Sequence, residues 1–385
     1  MWAGPVSIAV SGDGTRCVVG SSLDNCADIY VLENDTWILE GSIYSDSLDV
    51  DVWFGRHSVS INHDGSIVAA GSYRETPEED IKPTIPDTEC TDTYDETYGY
   101  EEGGVVYVYT RKENTWTRQA TLIPVRSYPE NHFGKEVRLT PDGQTLVVSA
   151  SGSVTIFTCI DNVWKEEYSF TNLYRDVVLY ATSIDVSDDG MCIVVGTPSS
   201  ERSCPGRVSV YTKRDDVWFC EHITDDDGFY AFGTCVSITS DASRLLVDNC
   251  MYVKTDGHWE LDHCIEPETG IGTMSMSRSG DRLLCTHNGT TGTICGSYRE
   301  PPEPWIAYVF KDCGTSFAYE YTIHPVSPIK SEDDDWTSDD DDNSCRSDVK
   351  YEMICGNISP DGKNVFISPT FVESRYVPVT QFILD

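Results

Sequence analysis

Pairs of apolar residues two positions apart lead repeatedly into a tight polar turn. The clearest copies are Ile8-Ala-Val10 before Asp13-Gly14, Val59-Ser-Ile61 before Asp64-Gly65, Val137-Arg-Leu139 before Asp142-Gly143, and Ile184-Asp-Val186 before Asp189-Gly190. Weaker copies are Val236-Ser-Ile238 before Asp241-Ala242, Met274-Ser-Met276 before Ser279-Gly280, and Ile358 before Asp361-Gly362. A period of two puts both apolar side chains on one face of a strand. A second apolar run follows each turn, as in Cys17-Val-Val, Leu146-Val-Val and Cys192-Ile-Val-Val.

A second pattern follows the first. An aromatic residue is joined to a tryptophan seven positions later at Tyr30/Trp37, Tyr109/Trp116, Phe157/Trp164, Tyr211/Trp218 and Tyr252/Trp259, with Phe310/Phe317 as a sixth copy. Between them lie turn formers such as Asn34-Asp35, Asp161-Asn162, Asp215-Asp216 and Asp256-Gly257. Asn, Asp and Gly tolerate the positive φ of tight hairpin turns. Each unit therefore reads strand, Asp-Gly turn, strand, variable loop, strand, polar turn, strand.

A unit of this size cannot bury its apolar faces alone, so the repeats must pack on one another. Radial packing leaves only short, protected edges, which favours a closed ring over a linear stack. The expected fold is all-β: a seven-bladed β-propeller of four-stranded antiparallel blades, its last blade three-stranded, in a single domain over residues 1–385. The final aromatic, Phe382, has no room for its tryptophan partner, so Tyr376–Leu384 is expected as an outer edge without a fourth strand from residues 1–5. The five tryptophans should hold equivalent outer-strand positions between neighbouring sheets.

In such a meander, loops joining the second and third strands and loops between blades emerge on one face. The insertions at residues 73–102, 297–304 and 324–350 are all of these kinds, so one face should be trimmed and the other elaborated and acidic. The segment Gly71-Ser-Tyr-Arg-Glu75, at the root of the first insertion, recurs as Gly296-Ser-Tyr-Arg-Glu300.

The order Phe-Gly, Val-x-Leu, Asp-Gly, apolar strand, Gly-x-Val-x-Val-Tyr and Trp resembles the FG-GAP repeat of integrin α-subunit propellers. Phe133-Gly134, Val137, Asp142-Gly143 and Trp164 carry the first half and the closing tryptophan; Gly104–Tyr109 and Gly206–Tyr211 carry the second half. The resemblance implies a propeller but not the family's calcium loops, which need several oxygen ligands at alternate positions, whereas turns such as Thr140-Pro-Asp142-Gly143 are bare Asp-Gly. The chain is also similar to FG-GAP-like proteins encoded by large DNA viruses.

Composition narrows the partners. A net charge of −37 repels nucleic-acid phosphates and anionic lipid, and no run approaches the roughly eighteen apolar residues of a membrane span. No nucleic-acid partner and no membrane insertion are therefore expected. The first ten residues lack the basic region of a signal peptide, which points to the cytoplasm or, for a viral protein, the virion. Of fifteen cysteines, Cys17, Cys159, Cys192, Cys235 and Cys285 lie on expected strands, where buried cysteine behaves as a small hydrophobe. The alternative is pairing between neighbouring strands, with Cys17–Cys26 and Cys192–Cys204 as candidates. No Cys/His grouping has zinc spacing. His57/His63 and His258/His263 read as satisfied polar residues.

No nucleophile elbow, zinc-protease pair, phosphate loop or dinucleotide fingerprint is present, so no catalytic residue, metal site or cofactor is assigned. The expected function is a non-catalytic interaction scaffold, a structural component of a larger assembly. It would bind a basic protein partner through Tyr94, Tyr98, Tyr100, Asp333, Asp334, Asp335, Trp336, Asp339 and Asp340 on the acidic face, and a strand-donating partner at the open edge of the last blade, Tyr376–Leu384, a second and independent docking site. The same acidic segments suit weak divalent-cation binding, or act only as solvated linkers. The rivals are a hydrolase or lyase with its site at the channel mouth, and a cell-surface adhesion module. Three or more acidic, His or Arg side chains converging in the channel would favour the enzyme; small and apolar ones would favour the scaffold.

Overall fold

The computed structural model describes residues 7–20, 25–47, 52–56, 58–75, 103–125, 132–171, 183–199, 204–224, 229–265, 273–287, 294–295, 298–299, 306–314, 316–323, 354–369 and 380–384. Blade one comprises β1 (Ile8–Val10), β2 (Arg16–Gly20), β3 (Cys26–Glu33) and β4 (Thr36–Tyr44). Blade two comprises β5 (Val59–Ile61), β6 (Ile67–Ser72), β7 (Val105–Lys112) and β8 (Thr115–Leu122). Blade three comprises β9 (Val137–Leu139), β10 (Thr145–Ala150), β11 (Ser153–Ile160) and β12 (Val163–Thr171). Blade four comprises β13 (Ser183–Val186), β14 (Cys192–Thr197), β15 (Arg207–Arg214) and β16 (Val217–Ile223). Blade five comprises β17 (Val236–Ile238), β18 (Arg244–Val247), β19 (Cys250–Thr255) and β20 (His258–Cys264). Blade six comprises β21 (Thr273–Met276), β22 (Arg282–His287), β25 (Ile306–Asp312) and β26 (Phe317–Ile323), with a ribbon of β23 (Ile294–Cys295) and β24 (Tyr298–Arg299) between its second and third strands.

The expected count of seven blades is corrected to six. A complete blade needs both the Asp-Gly strand pair and the aromatic-to-tryptophan hairpin, and the hairpin occurs only six times. The last Asp-Gly turn belongs instead to a three-stranded sheet of β27 (Ile354–Ile358), β28 (Asn364–Pro369) and β29 (Thr380–Ile383). This sheet lies between blade six and blade one. Ile358, Val365 and Ile367 pack with Leu284, Val309 and Ile323 on one side, while Phe366 packs with Ile8, Val10 and Cys17 on the other. The first strands touch in ring order, β1 to β5, β9, β13, β17, β21 and β27, and β27 touches β1. Residues 1–5 lie outside the described residues.

The tryptophans fall where the repeat places them. Trp37, Trp116, Trp164, Trp218 and Trp259 each sit second in a fourth strand, opposite Leu32, Arg111, Cys159, Lys213 and Lys254. Phe317, the first residue of β26, holds the same register opposite Asp312. Each packs onto the preceding sheet: Trp164 lies with Ala69, Val106 and Val108 of blade two, and Trp37 meets Phe366 edge-on at 5.7 Å.

The Phe-Gly pairs act as wedges between blades. Phe54 and Phe133 are fully buried. A Cβ on Gly20 would come within 1.8 Å of the Gly55 carbonyl, and one on Gly71 within 1.8 Å of the Gly134 carbonyl, so the second strand must carry glycine where the next wedge crosses it.

The proposed disulfides are also corrected. Cys17 and Cys192 are free thiols, so neither expected pair forms, and among the described residues the disulfide found is Cys250–Cys264, with Cα atoms 4.0 Å apart. Register explains the difference. Cys17 faces Tyr30 and Cys192 faces Thr212, whereas Cys250 and Cys264 are direct cross-strand partners. Burial of Cys17 and Cys192 accords with their expected role as small hydrophobes.

The two Gly-Ser-Tyr-Arg-Glu segments are not equivalent. Gly71 and Ser72 close the second strand of blade two, whereas Tyr298-Arg299 forms one arm of the inserted ribbon.

Candidate functional site

Two features could carry function: the central channel and the face from which the long loops leave. At the turn end of the channel, backbone groups at or just before the turn Asp, or its equivalent, make a girdle. Asp13 N–H donates to the His63 carbonyl (3.0 Å) and His63 N–H to that of Pro141 (2.9 Å). A second arc runs from Asp188 N–H to Ser240 (3.0 Å), from Ser240 to Arg278 (2.8 Å) and from Arg278 to Pro360 (3.1 Å). Pro141 and Pro360 have no N–H to pass on, so the girdle is two arcs rather than a closed ring.

Below the girdle, polar side chains of one inner strand hold the backbone of the next. Ser58 Oγ accepts from Val137 N–H (2.6 Å) and Ser60 Oγ from Leu139 N–H (2.9 Å). Ser183 Oγ accepts from Val236 N–H (3.0 Å) and Asp185 Oδ2 from Ile238 N–H (2.8 Å). Asn357 Nδ2 donates to the Ile8 carbonyl (3.1 Å), and Cys235 Sγ to that of Met274 (2.6 Å). Neighbouring first strands belong to different sheets, and these side chains satisfy backbone groups that sheet pairing leaves open.

Charge converges at one place in the channel. Arg278 reaches back across two blades: Nη1 lies 3.4 Å from Asp185 Oδ1, Nη2 donates to the Val186 carbonyl at 2.7 Å, and the guanidinium pairs with Asp188. Nearby, Arg138 Nη1 pairs with Glu136 Oε2 at 3.0 Å. Burial pushes the Glu136 carboxyl up, opposed by Arg138 and Lys135. Convergent charge alone would favour an enzyme. However, Asp185 accepts from Ile238 and Val186 N–H and pairs with Arg278, Asp188 pairs with Arg278, and Glu136 pairs with Arg138. Among the described residues no group of three His, Cys, Asp or Glu side chains could hold a metal ion.

The loop face carries the roots of all three insertions, because Ser72, His287 and Ile323 end second or fourth strands at the same end of their meanders. Tyr94, Tyr98, Tyr100, Asp333, Asp334, Asp335, Trp336, Asp339 and Asp340 lie outside the described residues, as does His57. One described cluster at this face is cationic and aromatic. The Arg56 and Arg74 guanidiniums lie 4.1 and 4.0 Å from the Trp53 ring, and Tyr73 meets that ring edge-on at 5.4 Å. Tyr73 lies 5.6 Å from His132, whose Nδ1 is 3.2 Å from Ser151 Oγ. Trp53 and His132 both precede a Phe-Gly wedge and both hold a left-handed φ, 57° and 49°. A bulky side chain seldom adopts that conformation. The sequence offered a signal for this cluster in the Tyr73-Arg74 pair, but nothing in it joins that pair to Trp53.

A second set of residues also escaped the sequence reading. The position three after each tryptophan or its equivalent holds Glu40, Gln119, Glu167, Glu221, Asp262 and Glu320. Glu40 accepts from Arg111 Nε (2.8 Å) and Trp116 Nε1 (3.0 Å) of blade two, and Gln119 Oε1 from Trp164 Nε1 of blade three (3.2 Å). Glu167 takes Lys213 of blade four at 2.5 Å, and Glu221 Oε1 accepts from Trp259 N–H of blade five at 3.2 Å. A Trp-x-x-acid pattern was present to be read.

No family model matches the chain, so FG-GAP kinship is not shown, and no curated protein matches it. Solved structures do. The β-propeller domain of Cps50 (Swd1) from Myceliophteria thermophila aligns with a TM-score of 0.57 at 12% identity, over 97% of this chain and 95% of that one. A chain of the mitotic checkpoint complex aligns with a TM-score of 0.57 at 10% identity, over 99% and 90%. A functionally unknown protein from Desulfotomaculum acetoxidans gives 0.51 at 12% identity, over 82% and 84%. Identities this low establish a shared β-propeller fold and nothing finer.

Proposed function

We propose that this propeller is a non-catalytic scaffold that binds a protein partner on its loop face and serves as a structural part of a larger assembly. The observation that carries the reading is the state of the channel. Ser58, Ser60, Ser183, Asp185, Arg278 and Asn357 hold one blade to the next and Glu136 pairs with Arg138 within blade three, whereas elaboration beyond the repeat is rooted at the loop end of the meanders. The propellers of Cps50 (Swd1) and of the mitotic checkpoint complex support the reading by fold. The partner is basic, or donates a strand, and meets the acidic insertions.

The experiment replaces residues 76–102 and 325–350 separately with short Gly-Ser linkers and compares what co-purifies from the native source. Loss of a partner in either variant, with an unchanged melting temperature, is the expected result. Retention of every partner when both insertions are replaced would contradict the proposal.

A further inference from the structure

The outer hairpins of blades one, two, three, five and six each carry a bulge, and the surplus residue is polar: Glu40, Gln119, Glu167, Asp262 or Glu320. Bulges and charges keep an exposed edge from pairing with another chain. Blade four lacks the bulge. Its β15–β16 pair runs from Val208/Ile223 to Arg214/Val217 without a shift. β16 is the outer edge of its sheet and reads Val-Trp-Phe-Cys-Glu-His-Ile. Val217 and Phe219 are 53% and 55% exposed, and Cys220 is an exposed free thiol. The acid of this strand, Glu221, is turned to blade five, where it accepts from Trp259 N–H. β4 also exposes Ile38 and Leu39, but there the Glu40 bulge interrupts the edge.

The backbone of this edge has a defined direction. Asp215 and Asp216 both hold a left-handed φ, 49° and 60°, so the two-residue turn makes Arg214/Val217 a hydrogen-bonded pair. Alternation then turns the N–H and C=O of Trp218, Cys220 and His222 outward, away from β15. Blade five shows the same direction, since the equivalent Trp259 N–H leaves its own hairpin to reach Glu221. Among the described residues no group bonds the outward N–H and C=O of Trp218, Cys220 or His222. Charge also sets this edge apart. Arg207, Lys213 and Arg214 balance Asp215, Asp216 and Glu221, whereas the other five outer hairpins each carry a net charge. In a chain of net charge −37, this is the hairpin at which two copies repel least.

We infer that a second copy of this chain adds its β16 antiparallel to this one, joining two blade-four sheets into one sheet across a two-fold axis. The outward groups are self-complementary about Cys220. An axis beside Cys220 pairs it with its own mate, and pairs Trp218 with His222 of the second copy, each pair exchanging two backbone hydrogen bonds. On the other face Phe219 stands diagonal to its own mate, about 7–8 Å away, within reach of an aromatic ring. Paired edges of this length lie near or below the roughly 1,000 Å² that a stable interface needs, so the dimer is weak and reversible. The surface is separate from the loop face, and a dimer formed through it carries two loop faces.

Sedimentation velocity on the full chain, over a range of protein and salt concentrations, is the test. The dimer should grow with protein concentration and with added salt, because screening relieves the repulsion between two acidic copies. Phe219→Lys places a charge at the facing edges. Cys220→Pro removes an outward N–H that β15 does not use. Each should abolish the dimer and leave the melting temperature unchanged. Mild oxidation then reads the register. Cα atoms about 5.5 Å apart in a hydrogen-bonded pair suit a disulfide. The cross-linked dimer should therefore map to Cys220 of both copies, be lost in Cys220→Ser and be kept in Cys313→Ser. A monomer at every concentration would overturn the inference and leave the edge to a strand from another protein. A dimer that survives Phe219→Lys, or that cross-links only through another cysteine, would overturn it too.

Discussion

Glu40 is a carboxylate whose side chain is only 9% exposed, and Arg16, Arg111 and the Trp116 indole converge on it. Burial alone would push its carboxyl up, but the donors from Arg16, Trp116 and Arg111 bring it below the usual range. Glu40→Ala would leave two part-buried guanidiniums without this partner, and should cost about 3 kcal/mol in urea unfolding. Trp164 and Trp259 are each 8% exposed, so replacing either with alanine should cost about 3–5 kcal/mol. Losses below about 1 kcal/mol, the range of ordinary surface changes, would show that these side chains do not join blades. The Asp-Gly turns add a pH dependence. Hydrogen bonds from Ser243, then Thr239, hold Asp241 below its ordinary value of 3.8 against a smaller opposing effect of burial, and Ser66 does the same for Asp64. A carboxyl depressed on folding contributes stability above its unfolded pKa and loses it as pH falls through the folded one. Between pH 7 and pH 3, Asp241→Asn should therefore lose less melting temperature than the wild type. Equal losses would remove the turn carboxylates from the account.

At the scale of the element, the hairpin was the most legible part of the sequence. The seven-residue offset fixes the turn, and the turn fixes the register of both strands, so Trp37 through Trp259 fell into equivalent places. The count of blades was misread because an Asp-Gly turn reports only the first two strands of a unit. The disulfide was misread because spacing along the chain does not give cross-strand register. Neither the Arg56–Trp53–Arg74 stack nor the grip of Arg278 on Asp185 and Asp188 could be read, since both join residues that no local pattern relates. The outer hairpins of blades one, two, three, five and six carry a β-bulge before the conserved aromatic and that of blade four does not, a difference visible in the sequence only as one surplus residue between tryptophan and the closing apolar position. Blade four shows that a fourth strand forms without it. Deleting Gln119 should therefore shift Leu122 into the register of Ile223 and preserve the fold. The loss should be about 1–3 kcal/mol, from the bonds to Trp164 and Asn162. Deleting Val108, inside β7, moves its inward residues to the wrong face and should prevent folding. Urea unfolding of the two deletion variants checks this; equal harm would show that the bulge is not a dispensable insertion.

At the scale of the molecule, six blades and a three-stranded sheet close a ring whose inner strands are held by side chains rather than by sheet pairing. That arrangement gives a firm channel wall and leaves loop length free to vary at one end. Composition anticipated an acidic surface, and the topology places the roots of the acidic insertions together. The residues first singled out for partner binding lie in those insertions, outside the described residues. The central claim is that the partner meets this end of the ring and not the channel or the turns. Hydrogen–deuterium exchange on the protein, free and with its co-purified partner, tests it most directly. Protection gathered in residues 76–102 and 324–350, and at Tyr73-Arg74, is the result predicted. Protection gathered instead on the inner strands around Arg138, Asp185 and Arg278, or on the Asp-Gly turns, would contradict it.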